Sequence, residues 1–298
     1  MKKMKVAIIG QGRSGRDIHG AYFLSDLNKN IEVVAIVDEI EERRERSMKE
    51  FGCDGYASYT ELFGRKDIDL IVNASFSHMH YAIAKDCLQH GYNVLNEKPF
   101  AKTAYECMDL IKTAKENNVI ITAFHQSLFG PTVLKMKEIL ASGKIGNVKQ
   151  INVRYSSFGR RWDWQTLQSF CAGGVYNTGP HPIGIAMDLI DWDPQAKVAY
   201  SHLDTALTLG DGNDMAKLII TAPGKPVVDI EISSMDAYND FQLKFQGTLG
   251  TLKSTQKGYT VKYIVPGENP EQPRQRAPLK NDEGLPVYCG ENLITHEE

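Results

Sequence analysis

Val6-Ala7-Ile8-Ile9-Gly10-Gln11-Gly12-Arg13-Ser14-Gly15 is the stretch that decides the fold. Its first four residues form a continuous apolar run, the mark of a strand buried on both faces of a parallel sheet. The run passes directly into G-x-G-x-x-G, after a strand and before a helix, which is the context that pattern requires. Gly10 is read as the residue of the tight turn. Gly12 lets the backbone approach a pyrophosphate, and Gly15 lets helix and strand pack closely. A helix that starts here presents free N–H groups to an anion. Arg13 and Ser14 lie inside the loop and join the three glycines as candidate cofactor-binding residues.

Working outward, Val33-Val34-Ala35-Ile36-Val37 is a second apolar run, and it ends in Asp38. Asp38 lies 23 residues after Gly15, near the ~20 expected of an acid that bonds the adenosine ribose hydroxyls. Capping the next helix is its bland alternative. Arg43 and Arg44 of that helix are expected mostly to face water, and Asp38 argues against a 2′-phosphate by repulsion, so NAD is expected over NADP. Asp69–Ala74, Val94–Asn96 and Val119–Phe124 are further apolar strands, with a helix expected over 78–90. Ser58-x-x-Glu61 and Thr103-x-x-Glu106 are capping boxes. Strands alternating with helices imply an α/β fold with a Rossmann-type, doubly wound parallel sheet over residues 1–123.

Val94-Leu95-Asn96-Glu97-Lys98-Pro99-Phe100 places Lys98 just beyond the carboxyl end of a strand, because Pro99 cannot continue the ladder. Open α/β sheets bind ligands at that end. A solvated loop lysine is the plain alternative.

After Phe124 the pattern changes, and residues 124–298 are read as a second, α/β domain for substrate binding and oligomerisation. A helix over 132–142 and a long strand over 148–158 come first. Runs at 198–203, 216–221, 227–233, 241–246 and 259–265 read as a mostly antiparallel open sheet, with turns at Gly210-Asp211-Gly212 and Pro223-Gly224. Residues 266–286 read as an irregular, proline-rich arm. Arg160-Arg161-Trp162-Asp163-Trp164 is either a substrate wall or a packed loop. Thr178-Gly179-Pro180 makes a regular helical turn before His181 unexpected.

Composition narrows the function classes. The 298 residues are 42% apolar and 24% charged, with a formal net charge of −3. Interspersed charge gives no support for a nucleic-acid or membrane-surface partner. Five scattered cysteines without Cys-x-x-Cys spacing fit buried thiols in a reducing cytoplasm better than disulfides or a zinc site, and no metal is expected. No apolar run is long enough for a signal peptide or a membrane span.

The glycine fingerprint at Gly10–Gly15, then Glu97-Lys98-Pro99, then Gly173-Gly174 through His181 resemble, in that order, the glucose–fructose oxidoreductase, inositol dehydrogenase and rhizopine-catabolism (Gfo/Idh/MocA) family. The resemblance covers most of the chain. It implies an NAD(P)-dependent oxidoreductase of a sugar, cyclitol or related polyol, acting as a homodimer or homotetramer through the C-terminal sheet. It makes Lys98 the active-site lysine and His181 the catalytic histidine. Asn177 stands where many members have Asp. Ser75, Phe76 and His80 fall on a cofactor-contacting segment of the family, and Glu97, Lys98 and Gln126 complete the candidate cofactor set. Lys98, Arg160, Trp162, Trp164, Asn177 and His181 form the candidate substrate set. The chain ends at Thr295-His296-Glu297-Glu298, earlier than many members and without an obvious closing element, which fits a truncated form.

The chemistry agrees. Oxidising a secondary alcohol needs a hydride acceptor, a proton acceptor and a group favouring developing alkoxide. Nicotinamide supplies the first. His181 has a suitable intrinsic pKa for the second, and Lys98 the point charge for the third. Two other classes stay open. One is a dinucleotide-binding sensor without turnover, encouraged by Asn177. The other is a dehydrogenase of an acid substrate, which needs an Arg clamp drawn from Arg154, Arg160 or Arg161.

Overall fold

The computed structural model describes residues 2–269, 280–286 and 292–298. The chain forms two compact units and passes between them more than once. The first comprises the chain through Gln126 together with Gly159–His181 and Asp204–Met215, and the second comprises the rest.

In the first unit, β1 (Met4–Ile9) leads through the glycine loop into a π-wound helical stretch, Arg13–Gly20, which continues as α1 (Ala21–Leu24). β2 (Ile31–Val37), α2 (Glu41–Phe51), β3 (Asp54–Tyr56), β4 (Leu70–Asn73), α3 (His80–Gln89), β5 (Val94–Asn96), α4 (Ala104–Glu116) and β6 (Ile121–Ala123) follow. The six strands lie in the order β3-β2-β1-β4-β5-β6. Every neighbour pair is parallel, as the βαβ alternation requires.

The continuous apolar run of β1 has a direct cause. Ala7 and Ile9 enter one core with Ile83, Ala84, Leu88 and Leu110, while Val6 and Ile8 enter another with Val33, Ile36 and Val72. Both faces are dry, so no position tolerates a polar side chain. Each fully buried Ile or Leu contributes about 1.5–3 kcal/mol. Both capping boxes form: Ser58 with Glu61, and Thr103 with Glu106. The three-residue β3 carries no apolar run and had no sequence signal.

The second unit opens with α5 (Pro131–Ala141) and β7 (Val148–Ser156). Residues 159–181 return to the first unit, where they carry α6 (Gly174–Asn177) and open α7 (Pro180–Leu189). Then come β8 (Lys197–Asp204), β9 (Met215–Thr221), β10 (Val227–Ser233), β11 (Leu243–Gly247), β12 (Gly250–Thr255), β13 (Gly258–Tyr263) and β14 (His296–Glu297). The eight strands lie in the order β14-β13-β12-β11-β7-β10-β9-β8.

This sheet departs from the sequence reading at three points. β10 pairs with β7 in parallel, although β11, β12, β13 and β14 pair antiparallel with their neighbours. β12 was not expected, because Leu252 and Ser254 alone are buried in its Gly-Thr-Leu-Lys-Ser-Thr sequence. The closing residues, in which the sequence shows no obvious closing element, pair with β13 as β14. Of the supposed arm, residues 270–279 lie outside the described set. Ile151, Val153, Val228, Ile230, Leu243, Phe245, Leu252 and Val261 are buried at alternate positions, which is how a sheet with one dry face must read.

Candidate functional site

Gly10 adopts φ +89°, and a Cβ there would lie 2.5 Å from the Ala74 carbonyl oxygen. At Gly15 a Cβ would fall 1.8 Å from the Gly10 oxygen, so only glycine lets the helix sit so close to the turn. Gly12 differs: the nearest atom to an added Cβ is Arg43 Nη1, at 4.0 Å. Its backbone faces open space, which is what a close-approaching phosphate needs. The loop therefore fits a dinucleotide. Ser14 is half-buried beside it and Arg13 is exposed.

Asp38 follows β2 directly and is 7% exposed. Its Oδ2 accepts from the Gln11 amide at 2.7 Å and its Oδ1 from the Ile40 amide at 2.9 Å. The ribose-binding and helix-entry readings of Asp38 are thus compatible, because each oxygen keeps a further lone pair. Arg43 and Arg44, expected mostly to face water, turn back toward the loop instead. Arg44 Nη1 donates to the Asp38 carbonyl at 2.9 Å, and Arg43 Nη1 stands 4.0 Å from Asp38 Oδ2. The carboxylate and the carbonyl at the strand end attract both guanidinium groups.

A buried polar network holds the carboxyl ends of β4 and β5. Asn73 Nδ2 donates to Asn96 Oδ1 at 2.7 Å, Asn96 Nδ2 donates to the Phe100 carbonyl at 2.7 Å, and Ser75 Oγ donates to Asn73 Oδ1 at 2.7 Å. His80 is 1% exposed. Its ring nitrogens lie 2.7 Å from the Pro99 carbonyl and 3.1 Å from that of Ser75. Burial pushes its pKa down, against the pull of those two carbonyls. Glu97 is 4% exposed; its Oε1 lies 2.9 Å from His19 Nε2 and its Oε2 accepts from the Lys98 amide at 3.1 Å. Burial alone would raise the Glu97 carboxyl, but the bond and charge of His19, with help from Lys98, hold it below its usual range. The polar atoms of His80 and Glu97, two of the expected cofactor residues, are thus bonded within the protein.

Lys98 reaches out from this frame. Its Nζ donates to the Asn177 carbonyl at 3.0 Å and lies 3.5 Å from Asn177 Oδ1. Burial lowers its pKa; the charge of Glu97 opposes, while Arg13 and Arg161 add to the lowering. His181 titrates low, at about 4, chiefly from burial and then from the nearby charges of Lys98 and His125. The His125 and His181 rings lie 6.0 Å apart. Lys98, Asn177 and His181 are therefore brought together by geometry and charge.

The backbone before His181 breaks as expected: α6 ends at Asn177, Thr178 and Gly179 form a turn, and α7 begins at Pro180. The Asn177 amide donates to the Gly173 carbonyl, Thr178 and Gly179 donate to that of Gly174, and His181 donates to that of Thr178. His181 sits in the first turn of α7. Pro180 is no obstacle there, since proline fits a first helical position whose N–H would be unpaired anyway.

The aromatic-basic cluster divides. Trp164 packs with Phe76 and Phe170, its ring 5.1 Å edge-on from Phe76, and His78 packs on Phe170. Trp162 is 73% exposed and Arg160 is exposed, so neither is drawn into this group. Arg161 bonds Asp163 at 2.8 Å and also donates to Gln165. Gln126 is exposed at the start of a short 3₁₀ turn, Gln126–Phe129.

The sequence reading missed His19, Asn73, Asn96, Asn213 and Asp214. Asn213 fixes α6: its carbonyl accepts from Gly174 at 2.5 Å and its Oδ1 from Val175 at 2.9 Å. The Asp214 carboxylate accepts from the amides of Ala206, Leu207 and Thr208. The segment that follows the Gly210-Asp211-Gly212 turn is thus a support for α6, which ends in Asn177. Polar residues closing the apolar strands were the one available signal for Asn73 and Asn96.

Residues 4–125 match the family model described as "Oxidoreductase family, NAD-binding Rossmann fold", and residues 133–253 match that of the "GFO/IDH/MocA C-terminal domain". An uncharacterized oxidoreductase of Schizosaccharomyces pombe is 29% identical, over 63% of this chain and 52% of its own. A scyllo-inositol 2-dehydrogenase (NADP(+)) of Bacillus subtilis is 25% identical, over 62% of this chain and 51% of its own. The chain thus spans about half the length of each of these two relatives. Among solved structures, an NAD-binding protein from Listeria innocua superposes with a TM-score of 0.83 at 22% identity, covering 100% of this chain and 84% of that one. The WlbA dehydrogenase from Bordetella pertussis, solved with NADH and UDP-GlcNAcA, gives 0.73 at 19% identity, covering 86% and 75%. At these identities the likeness establishes the fold. Among the described residues, no helix is long and apolar enough to cross a membrane.

Proposed function

This chain belongs to the Gfo/Idh/MocA oxidoreductase family, and we propose that it transfers a hydride between NAD and a secondary hydroxyl or carbonyl carbon of a sugar, cyclitol or related polyol. The observation that carries the proposal is the convergence of Lys98, Asn177 and His181 beyond the carboxyl ends of β4 and β5. Nicotinamide, when bound, supplies the hydride acceptor. Every other role falls to side chains of this protein.

Gly12 and the N-terminus of the Arg13–Gly20 helix hold the pyrophosphate, and Asp38 accepts the ribose hydroxyls. The Asp38 charge supports NAD over NADP. Lys98, a cation held by the Asn177 carbonyl, faces developing negative charge on the substrate oxygen. His181 is neutral at pH 7 with its pKa near 4, so its ring has a lone pair to accept the hydroxyl proton. Asn177 orients the substrate hydroxyl. Trp164 with Phe76 supplies an apolar wall. Assembly of copies through the sheet of the second unit belongs to the same reading.

The test is a screen of polyols with NAD and NADP, following absorbance of the reduced cofactor, on the natural protein and on Lys98→Ala. Turnover with a polyol, better catalytic efficiency with NAD, and a kcat loss of about 10²–10³-fold in the variant are expected. Tight dinucleotide binding with no turnover of any polyol would favour a sensor instead.

A further inference from the structure

Two buried titratable side chains beside Lys98 take no part in that chemistry. His19 and Glu97 are each 4% exposed, with His19 Nε2 2.9 Å from Glu97 Oε1. His19 lies on the Arg13–Gly20 helix that opens at the glycine loop. Glu97 immediately precedes Lys98, and its second oxygen accepts from the Lys98 amide. The pair is therefore a direct tie between the helix facing the pyrophosphate and the strand end bearing the ammonium. The tie is held rigidly. The His19 ring packs against Phe124 at 4.4 Å between centroids, and the Phe124 amide donates to the Asn96 carbonyl at 2.8 Å. A carboxylate this deep persists only with its bonds made.

We propose that His19 and Glu97 are positioning residues: the pair keeps Lys98 in register with the glycine-loop helix and keeps a carboxylate charge beside its ammonium. The inference rests on the reading of Lys98 given above. The other charges facing Lys98 are Arg13 from the glycine loop, Arg161 from the 159–181 segment and, when protonated, His181 from α7. All three are cationic, and Asn177, the nearest partner of Nζ, is neutral. Glu97 is thus the charge that opposes deprotonation of Lys98. Without it, Lys98 sits among like charges in a partly desolvated place, and both effects favour the neutral amine.

Glu97→Gln keeps the shape and removes the charge. The Lys98 titration is read in the cofactor-free protein, by competitive acetylation with acetic anhydride across pH and mass spectrometry of the Lys98 peptide. It should move about one pH unit lower, and the basic limb of kcat should move with it. His19→Ala should lower kcat about tenfold or more while the Kd for NADH, read by fluorescence, changes less than about threefold. His19→Gln, whose amide nitrogen reaches the place of Nε2, should restore most of the loss. Should Glu97→Gln not fold, Glu97→Asp carries the test: the charge stays, so the Lys98 titration should hold while kcat falls, because the carboxylate draws back from His19. An unmoved Lys98 titration in folded Glu97→Gln overturns the inference. So does a His19→Gln protein as impaired as His19→Ala, or a Glu97→Asp protein with full kcat. If Lys98→Ala keeps its kcat, the reading of Lys98 as the catalytic cation fails instead, and the acetylation result still reports on the pair.

Discussion

Replacing His181 with Gln should change how stability depends on pH, and the size of the change follows from the site. In the folded protein His181 titrates at about 4, against an ordinary value of 6.5. Burial and the cations around it cause the difference. Between those two values the unfolded chain binds a proton that the folded chain refuses, so natural stability falls as pH falls through this window. Taken at face value, 4 and 6.5 give a loss of about 2 kcal/mol at pH 5 relative to pH 7 or above. The ring is not fully enclosed, and solvent screening reduces the loss to between about 1 and 2 kcal/mol. His181→Gln carries no titrating ring and should not lose this increment. The assay is urea unfolding of both proteins at pH 7 and pH 5, comparing the difference between them at each pH. His80, also lowered by burial, is present in both and cancels. A difference that does not change with pH would show that His181 is not held neutral by its surroundings. The proton-acceptor role would then lose its physical basis, and the acidic limb of kcat/KM should appear near 6.5 instead.

Two further substitutions probe the loop and the site. Gly12→Ala should fold with stability changed by less than about 0.5 kcal/mol, because its Cβ meets open space, yet bind NADH at least tenfold more weakly by fluorescence titration. Gly15→Ala should cost about 3 kcal/mol or more in unfolding experiments, since its Cβ collides with the Gly10 carbonyl. Asn177→Asp should move the acidic limb of kcat/KM to higher pH, because a carboxylate near Lys98 and His181 stabilises the imidazolium; an unmoved limb would place residue 177 out of range of the ring.

How far the sequence could be read depended on whether each feature was local. β1, β2, β4 and β5 were legible because their burial on two faces imposes unbroken apolar runs. The capping boxes were legible because partner and helix end lie three residues apart. β12 was not, since a strand with one dry face and two buried residues resembles a polar loop. The break before His181 was legible for a different reason: Gly179-Pro180 separates α6 from α7. Proline breaks a helix when it falls inside one, and at a helix start the same residue is favoured.

The support of Asn177 shows why the rest of the site stayed hidden. Asn213 caps α6 from 38 residues away in sequence. The loop carrying it is fixed by the Asp214 carboxylate on three successive amides, and by two glycines against Thr166. A Cβ at Gly210 or Gly212 would come within 2.1 or 2.8 Å of the Thr166 carbonyl. Gly-Asp-Gly has the same composition whether it turns in solvent or is pressed against another segment. Only the partner segment distinguishes the two, and nothing local names that partner. Lys98 is held in the same way: its motif fixes the strand end, but the atom its ammonium bonds is a backbone carbonyl, which has no sequence signature at all. The residue types that perform the chemistry could thus be picked out by motif. The atoms that aim them are supplied by main chain and by amides from distant segments, and those follow only from the folded backbone.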